Sequence, residues 1–175
     1  PAPMPTPTAL AAATDKSTGM TTDILGEPWV ARRIDVVPDE VAAPGADHAV
    51  LVHQRGAVPT AQGAPRHDRA VLYLHGRNDY FFQTHLADAF LSAGYEFYAL
   101  DLRTCGRAGI GHPSPHDVRD LRIHDEEIGE ALRIIRSEHG HGVVVLNGRG
   151  RGDRECGVVV HNNLHYLLYA KSVPR

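Results

Sequence analysis

Only two cysteines, Cys105 and Cys156, occur among the 175 residues. They cannot supply the multi-bridge framework of a small secreted domain, and they read as two unrelated thiols in a reducing compartment. No apolar run approaches the roughly 20 residues that cross a bilayer, so no membrane span is expected. Residues 10–13 are the one apolar patch near the start, and no basic residue precedes them, which makes a poor secretory signal. The expected location is cytoplasmic. A net charge of -3 gives no electrostatic case for nucleic acid or an anionic membrane.

What remains is an ordinary soluble composition. The chain is 42% hydrophobic and 22% charged, and its length suits one domain with a sizeable core. Residues 1–20 are rich in Pro, Ala and Thr, with too little apolar surface to offset ordering entropy, so disorder is expected there. Met20 closes that segment and would serve as a start residue.

Two strands are expected at 29–36 and 49–54, supported by the alternations Ile34/Val36 and Val50/Val52 and punctuated by Pro38, Pro44-Gly45 and Gly56. Residues 70–74 form a continuous apolar run, the pattern of a strand buried on both faces. Phe82, Leu86, Ala89, Phe90 and Ala93 recur at helical spacing, with Gly94 as the stop. A strand at 96–100 follows, then a Gly- and Pro-rich loop at 103–115. Asp117 opens a longer helix whose buried stripe is Leu121, Ile128, Leu132 and Ile135, ended by Gly140. Residues 142–146 are again a buried-type strand. Such alternation predicts an α/β fold with a mostly parallel sheet and flanking helices. In the polar, glycine-rich tail, residues 158–161 and 164–169 could pair as a hairpin around Asn162-Asn163.

The segment Leu72-Tyr73-Leu74-His75-Gly76, followed by Asn78-Asp79-Tyr80-Phe81-Phe82-Gln83, carries the first chemical signal. Tyr98-Ala99-Leu100-Asp101-Leu102-Arg103 with Gly106-Arg107 carries the second. The helix from Asp117, with Asp125-Glu126-Glu127 and Arg133-Ile134-Ile135-Arg136, continues it. Together, residues 29–146 resemble the front half of an α/β-hydrolase of the serine-aminopeptidase or lysophospholipase-like branch, which includes monoacylglycerol-lipase-like enzymes. The resemblance implies a partial α/β-hydrolase domain over 21–148, a divergent tail over 149–175, and relatives that cleave small acyl esters through a serine nucleophile. It also implies an oxyanion hole at Gly76 and Arg77, where a backbone N–H following the strand would face developing charge.

The nucleophile is where the resemblance fails. Asn147-Gly148-Arg149-Gly150-Arg151-Gly152 keeps the outer glycines of Gly-x-Ser-x-Gly, but Gly150 stands at the serine position. No apolar stripe follows to build the helix behind the turn, and Cys156 has nothing to activate it. Asp153 with His161 or His165 satisfies the order of acid and base but not the spacing of intervening strand–helix units. The chain is therefore expected to be truncated or frame-disrupted and catalytically incompetent, with no intact catalytic residue. The alternative is a pseudo-hydrolase that binds a ligand or partner. Strand 142–146 would then need the tail or another chain to cover its edge.

No cofactor or metal is expected. Gly148-x-Gly150-x-Gly152 lacks the spacing and helix of a dinucleotide turn. Arg149, Arg151 and Arg154 read as a solvated loop, and Arg151-Gly152-Asp153 as chance. His139-x-His141 has no partner acid or cysteine at ligand spacing, so it reads as a solvent-exposed pair at a helix end.

Overall fold

The computed structural model describes residues 19–58, 65–76 and 79–148, with the backbone of 14–15, 149, 155–160 and 169–170. Nine strands form one sheet: β1 Thr14–Asp15, β2 Met20–Thr22, β3 Trp29–Asp35, β4 His48–Gln54, β5 Arg69–Leu74, β6 Glu96–Asp101, β7 Val143–Arg149, β8 Glu155–Val160 and β9 Tyr169–Ala170. Their spatial order is β1-β2-β3-β4-β6-β5-β7-β8-β9. Helix α1, Thr84–Ser92, joins β5 to β6, and α2, His124–Arg133, lies between β6 and β7. This is a mixed α/β fold.

The expectation of a mostly parallel sheet is corrected. Only β5 runs parallel to its neighbours β6 and β7, and every other pairing is antiparallel. Parallel neighbours need a crossover long enough to return the chain, and only the segments carrying α1 and α2 provide one.

Strands β5 and β6 are buried on both faces, which is why they read as continuous apolar runs. Ala70, Leu72, Tyr98 and Leu100 pack with Ala131, Leu132, Ile134 and Ile135 on the α2 side. Val71, Tyr73, Phe97 and Ala99 pack with Trp29, Phe81 and Ala87 on the α1 side. Phe81 and Phe97 meet with ring centroids 5.0 Å apart.

The helix faces differ from those expected. Helix α1 begins at Thr84, after Phe82, and Phe82 is 51% exposed. Its inward face is Leu86, Ala87 and Phe90, while Ala89 and Ala93 are exposed. Gly94 at φ 82° does end α1. Its N–H donates to the Leu91 carbonyl and that of Tyr95 to the Phe90 carbonyl, both at 3.0 Å, which is a Schellman closure.

The second helix is opened by Asp120, whose side chain accepts from the Arg122 N–H, and not by Asp117. A short 3-10 turn at Leu121–Ile123 precedes α2, leaving Leu121 76% exposed and outside the buried stripe. Ile128, Leu132 and Ile135 do face the core. A π turn, Ile134–Glu138, extends α2 before Gly140 at φ 81°.

Met20, the last residue of the segment expected to be disordered, pairs with Arg32 in β2–β3 and is buried. Thr14 and Asp15 pair with Thr21 and Met20, while residues 1–13 lie outside the described residues. In the tail, β8 pairs with β7 from Val144 to Arg149, so that strand is not an open edge. The β8–β9 register, Cys156 to Ala170 and Gly157 to Tyr169, is centred on Asn163. Residues 161–168 of the expected hairpin, Asn162 and Asn163 included, lie outside the described residues.

Candidate functional site

The carboxyl ends of β5 and β6 are tied by His75. Its Nδ1 donates to the Gly76 carbonyl at 2.8 Å, and its Nε2 accepts the Leu102 N–H at 3.0 Å. Both nitrogens are used, which fixes a neutral tautomer. Burial pushes the imidazole below its ordinary pKa. His75 is thus a strand-end lock. Gly76 is partly buried at the turn, whereas Arg77, the second expected oxyanion residue, lies outside the described residues.

Asp101 closes β6 by organising the loops above it. Its Oδ1 accepts the Phe81 N–H at 3.1 Å, and its Oδ2 accepts the Arg107 N–H at 2.9 Å. The Arg107 guanidinium reaches the same oxygen at 2.7 Å and Asp23 at 2.5 and 2.8 Å. Burial works against the Arg107 charge, yet the two carboxylates hold its pKa above the ordinary value. Gly106 lies at φ 48°, and any Cβ there would overlap the Asp101 carboxylate and Tyr80.

A second buried ion pair joins this loop to α2. Arg103 reaches Glu127 at 2.5 Å and Glu126 at 2.9 Å, and His124 Nδ1 lies 2.7 Å from Glu127. Burial opposes the Glu127 charge, but His124 and Arg103 keep its carboxyl below the usual range. These acids and bases satisfy one another. They brace the loops and leave no poised acid–base pair.

Beside them opens a cleft of about 300 Å³, lined among others by Tyr80, Thr104, Ile110, Pro115 and His116. Cys105, read from the sequence as an isolated thiol, lies 3.4 Å from His116 Nδ1. Nothing in the residue spacing signals this contact, because it depends on a loop that doubles back on itself.

The expected nucleophile turn takes a different form. Strand β7 runs on through Asn147 and Gly148 to Arg149 and pairs with both β5 and β8. Gly150 lies outside the described residues, as do Asp153, His161 and His165. Among the described residues no helix stands between β7 and the antiparallel β8.

His139 and His141 are not solvent-exposed. They are 2% and 1% exposed, because the π turn folds them beneath the sheet. The Tyr98 hydroxyl lies 2.9 Å from both His139 Nδ1 and His141 Nε2 and 3.1 Å from the Ala57 carbonyl. His53, paired with Tyr98 across β4–β6, meets His139 edge-on with ring centroids 5.2 Å apart. Burial lowers the His53 pKa to about 4 and the His139 pKa to about 3. Among the described residues no group of three or more His, Cys, Asp or Glu could hold a metal ion, and no helix is long and apolar enough to cross a membrane. Set against family models, curated proteins and solved structures, the chain matches none.

Proposed function

We propose that this chain belongs to the α/β-hydrolase lineage as a pseudo-hydrolase: a ligand-binding scaffold that performs no serine-triad ester hydrolysis. The alternation β5-α1-β6-α2-β7, with His75-Gly76 at the carboxyl end of β5, supports the lineage. The crevice of an open parallel sheet lies at those strand ends, and small apolar acyl compounds are the ligand class the resemblance implies.

One observation carries the loss of hydrolysis. A nucleophile elbow is a strained strand-to-helix corner, whereas β7 continues as strand to Arg149 and returns as antiparallel β8 after residues 150–154. That connection has no room for the helix that holds a nucleophile above the sheet. The cover that β8 gives β7 favours a stable binding scaffold over a broken enzyme, since an unpaired β7 would template aggregation.

The test is turnover of a short-chain p-nitrophenyl ester, with intact-mass detection of a fluorophosphonate adduct. Neither turnover nor adduct is expected, from the wild type or from Gly150→Ser, because only five residues separate the end of β7 from the antiparallel β8. Ester turnover by the wild type with stoichiometric phosphonylation would overturn the proposal.

A further inference from the structure

The loop between β6 and α2 holds two non-glycine residues in the left-handed region, Thr104 at φ 65° and His116 at φ 63°. Residues with a Cβ seldom adopt this geometry. The two are joined directly, since the His116 N–H donates to the Thr104 carbonyl at 2.9 Å. Gly109 closes the loop, because a Cβ there would stand 2.5 Å from that same carbonyl oxygen. The outcome is a thiol facing an imidazole: Cys105 Sγ lies 3.4 Å from His116 Nδ1 and 4.0 Å from Thr104 Oγ1. Both sequence neighbours of Cys105 and its partner His116 line the cleft of about 300 Å³.

We propose that Cys105 and His116 form a nucleophile–base pair that captures a small apolar electrophile, an α,β-unsaturated carbonyl compound, through this cleft. The inference stands apart from the hydrolase lineage. Two features select the ligand class. Among the described residues the cleft lining contains no Lys, Arg, Asp or Glu, which suits an uncharged molecule. Its apolar members Ile110 and Tyr80 are 75% and 40% exposed, offering an apolar rim to an uncharged molecule. The volume lies at the small end of ligand sites, roughly 300–1,000 Å³.

The imidazole is required because the thiol does not ionise unaided. Burial pushes Cys105 up to about 11, the Asp101 and Glu127 carboxylates add to the rise, and only the Thr104 hydroxyl opposes it. Those carboxylates are themselves paired with Arg107 and Arg103. In the reaction, His116 Nδ1 takes the Sγ proton as sulfur bonds to the β-carbon. The carbon–carbon π pair moves onto the carbonyl as an enolate, and His116 returns the proton to the α-carbon. The product is a thioether adduct, with no leaving group and no change in redox state.

N-ethylmaleimide is the probe, applied to the full native chain, with peptide mapping to separate Cys105 from Cys156. The wild type is expected to react at Cys105 at pH 7 much faster than the thiolate fraction of a thiol pushed up to about 11 allows. His116→Asn retains a residue that tolerates left-handed backbone but cannot take the proton. It should slow the reaction at pH 7 roughly a hundredfold and leave a rate that climbs with pH toward the thiol's own ionisation. Equal rates and profiles in the two proteins would overturn the proposal, as would modification of Cys105 only in urea. If His116→Asn loses its native circular dichroism, the wild-type profile decides. A wild-type rate at pH 7 far above what the Cys105 thiolate fraction allows supports the pair, and a rate that only follows that fraction at every pH refutes it.

Discussion

Acidification should unlock the fold from beneath the sheet, well before ordinary carboxylate titration. His53 and His139 are held neutral in the folded chain, at about 4 and about 3, whereas in the unfolded chain each titrates near 6.5. The unfolded state therefore binds more protons throughout the interval between these values. The stability contribution is fully present above pH 6.5 and is lost as pH falls toward 4. Each group costs about 1.4 kcal/mol per pH unit inside that window, or about 2 kcal/mol at pH 5. Together they remove about 4 kcal/mol, a large share of the roughly 5–15 kcal/mol that holds a domain folded. Burial lowers His141 and His75 as well, so they act with the same sign. Trp29, 4% exposed in the core, reports unfolding by fluorescence, and urea melts at pH 7.5, 6.5, 5.5 and 5.0 would measure the slope. His53→Leu should flatten that slope by about 1.4 kcal/mol per unit, because the His53 Nε2 atom it removes is buried without a hydrogen-bond partner. Stability constant to within about 1 kcal/mol between pH 7.5 and pH 5 would refute the reasoning, since it would mean these imidazoles are hydrated or already charged.

Two stability predictions follow from the braces above the sheet. Arg103→Met leaves Glu127 fully buried with only His124 and the backbone N–H of residue 103 for partners, and loss of about 3–5 kcal/mol is expected in urea titration; a change under 1 kcal/mol would show the pair to be solvated. Gly106→Ala drives a methyl into Asp101 and Tyr80 at positive φ. It should lower the thermal midpoint by roughly 4–12 °C on a cost of about 2–3 kcal/mol, and an unchanged midpoint would mean the loop relaxes freely.

The strands were legible wherever burial is two-sided or strictly alternating. The runs at 70–74 and 96–100 and the alternation Val50/Val52 locate β5, β6 and β4 to within a residue or so. Helix faces were less legible. Phe82 fits the α1 period by spacing, yet it lies before the helix, and Asp117 is a good cap residue although the chain first turns at Asp120. Periodicity specifies a repeat, while the residue that starts it depends on how the preceding loop is tied down. His139-x-His141 was misread for a related reason, since histidines after a helix belong to solvent unless the helix ends in a π turn that folds them under the sheet.

By itself the sequence determined an α/β chain with apolar central strands, helices stopped by Gly94 and Gly140, and no nucleophile at position 150. Apolar burial and glycine backbone geometry are local consequences of residue type, so a linear reading captures them. The sequence already lacked the apolar stripe of a helix after β7, but tertiary structure alone decided that an antiparallel β8 would pair with it. It alone brought Cys105 to His116, and His53, Tyr98, His139 and His141 to one another. Those contacts join groups from 11 to 86 residues apart, and they follow from burial that brings polar groups distant in sequence into one enclosed space.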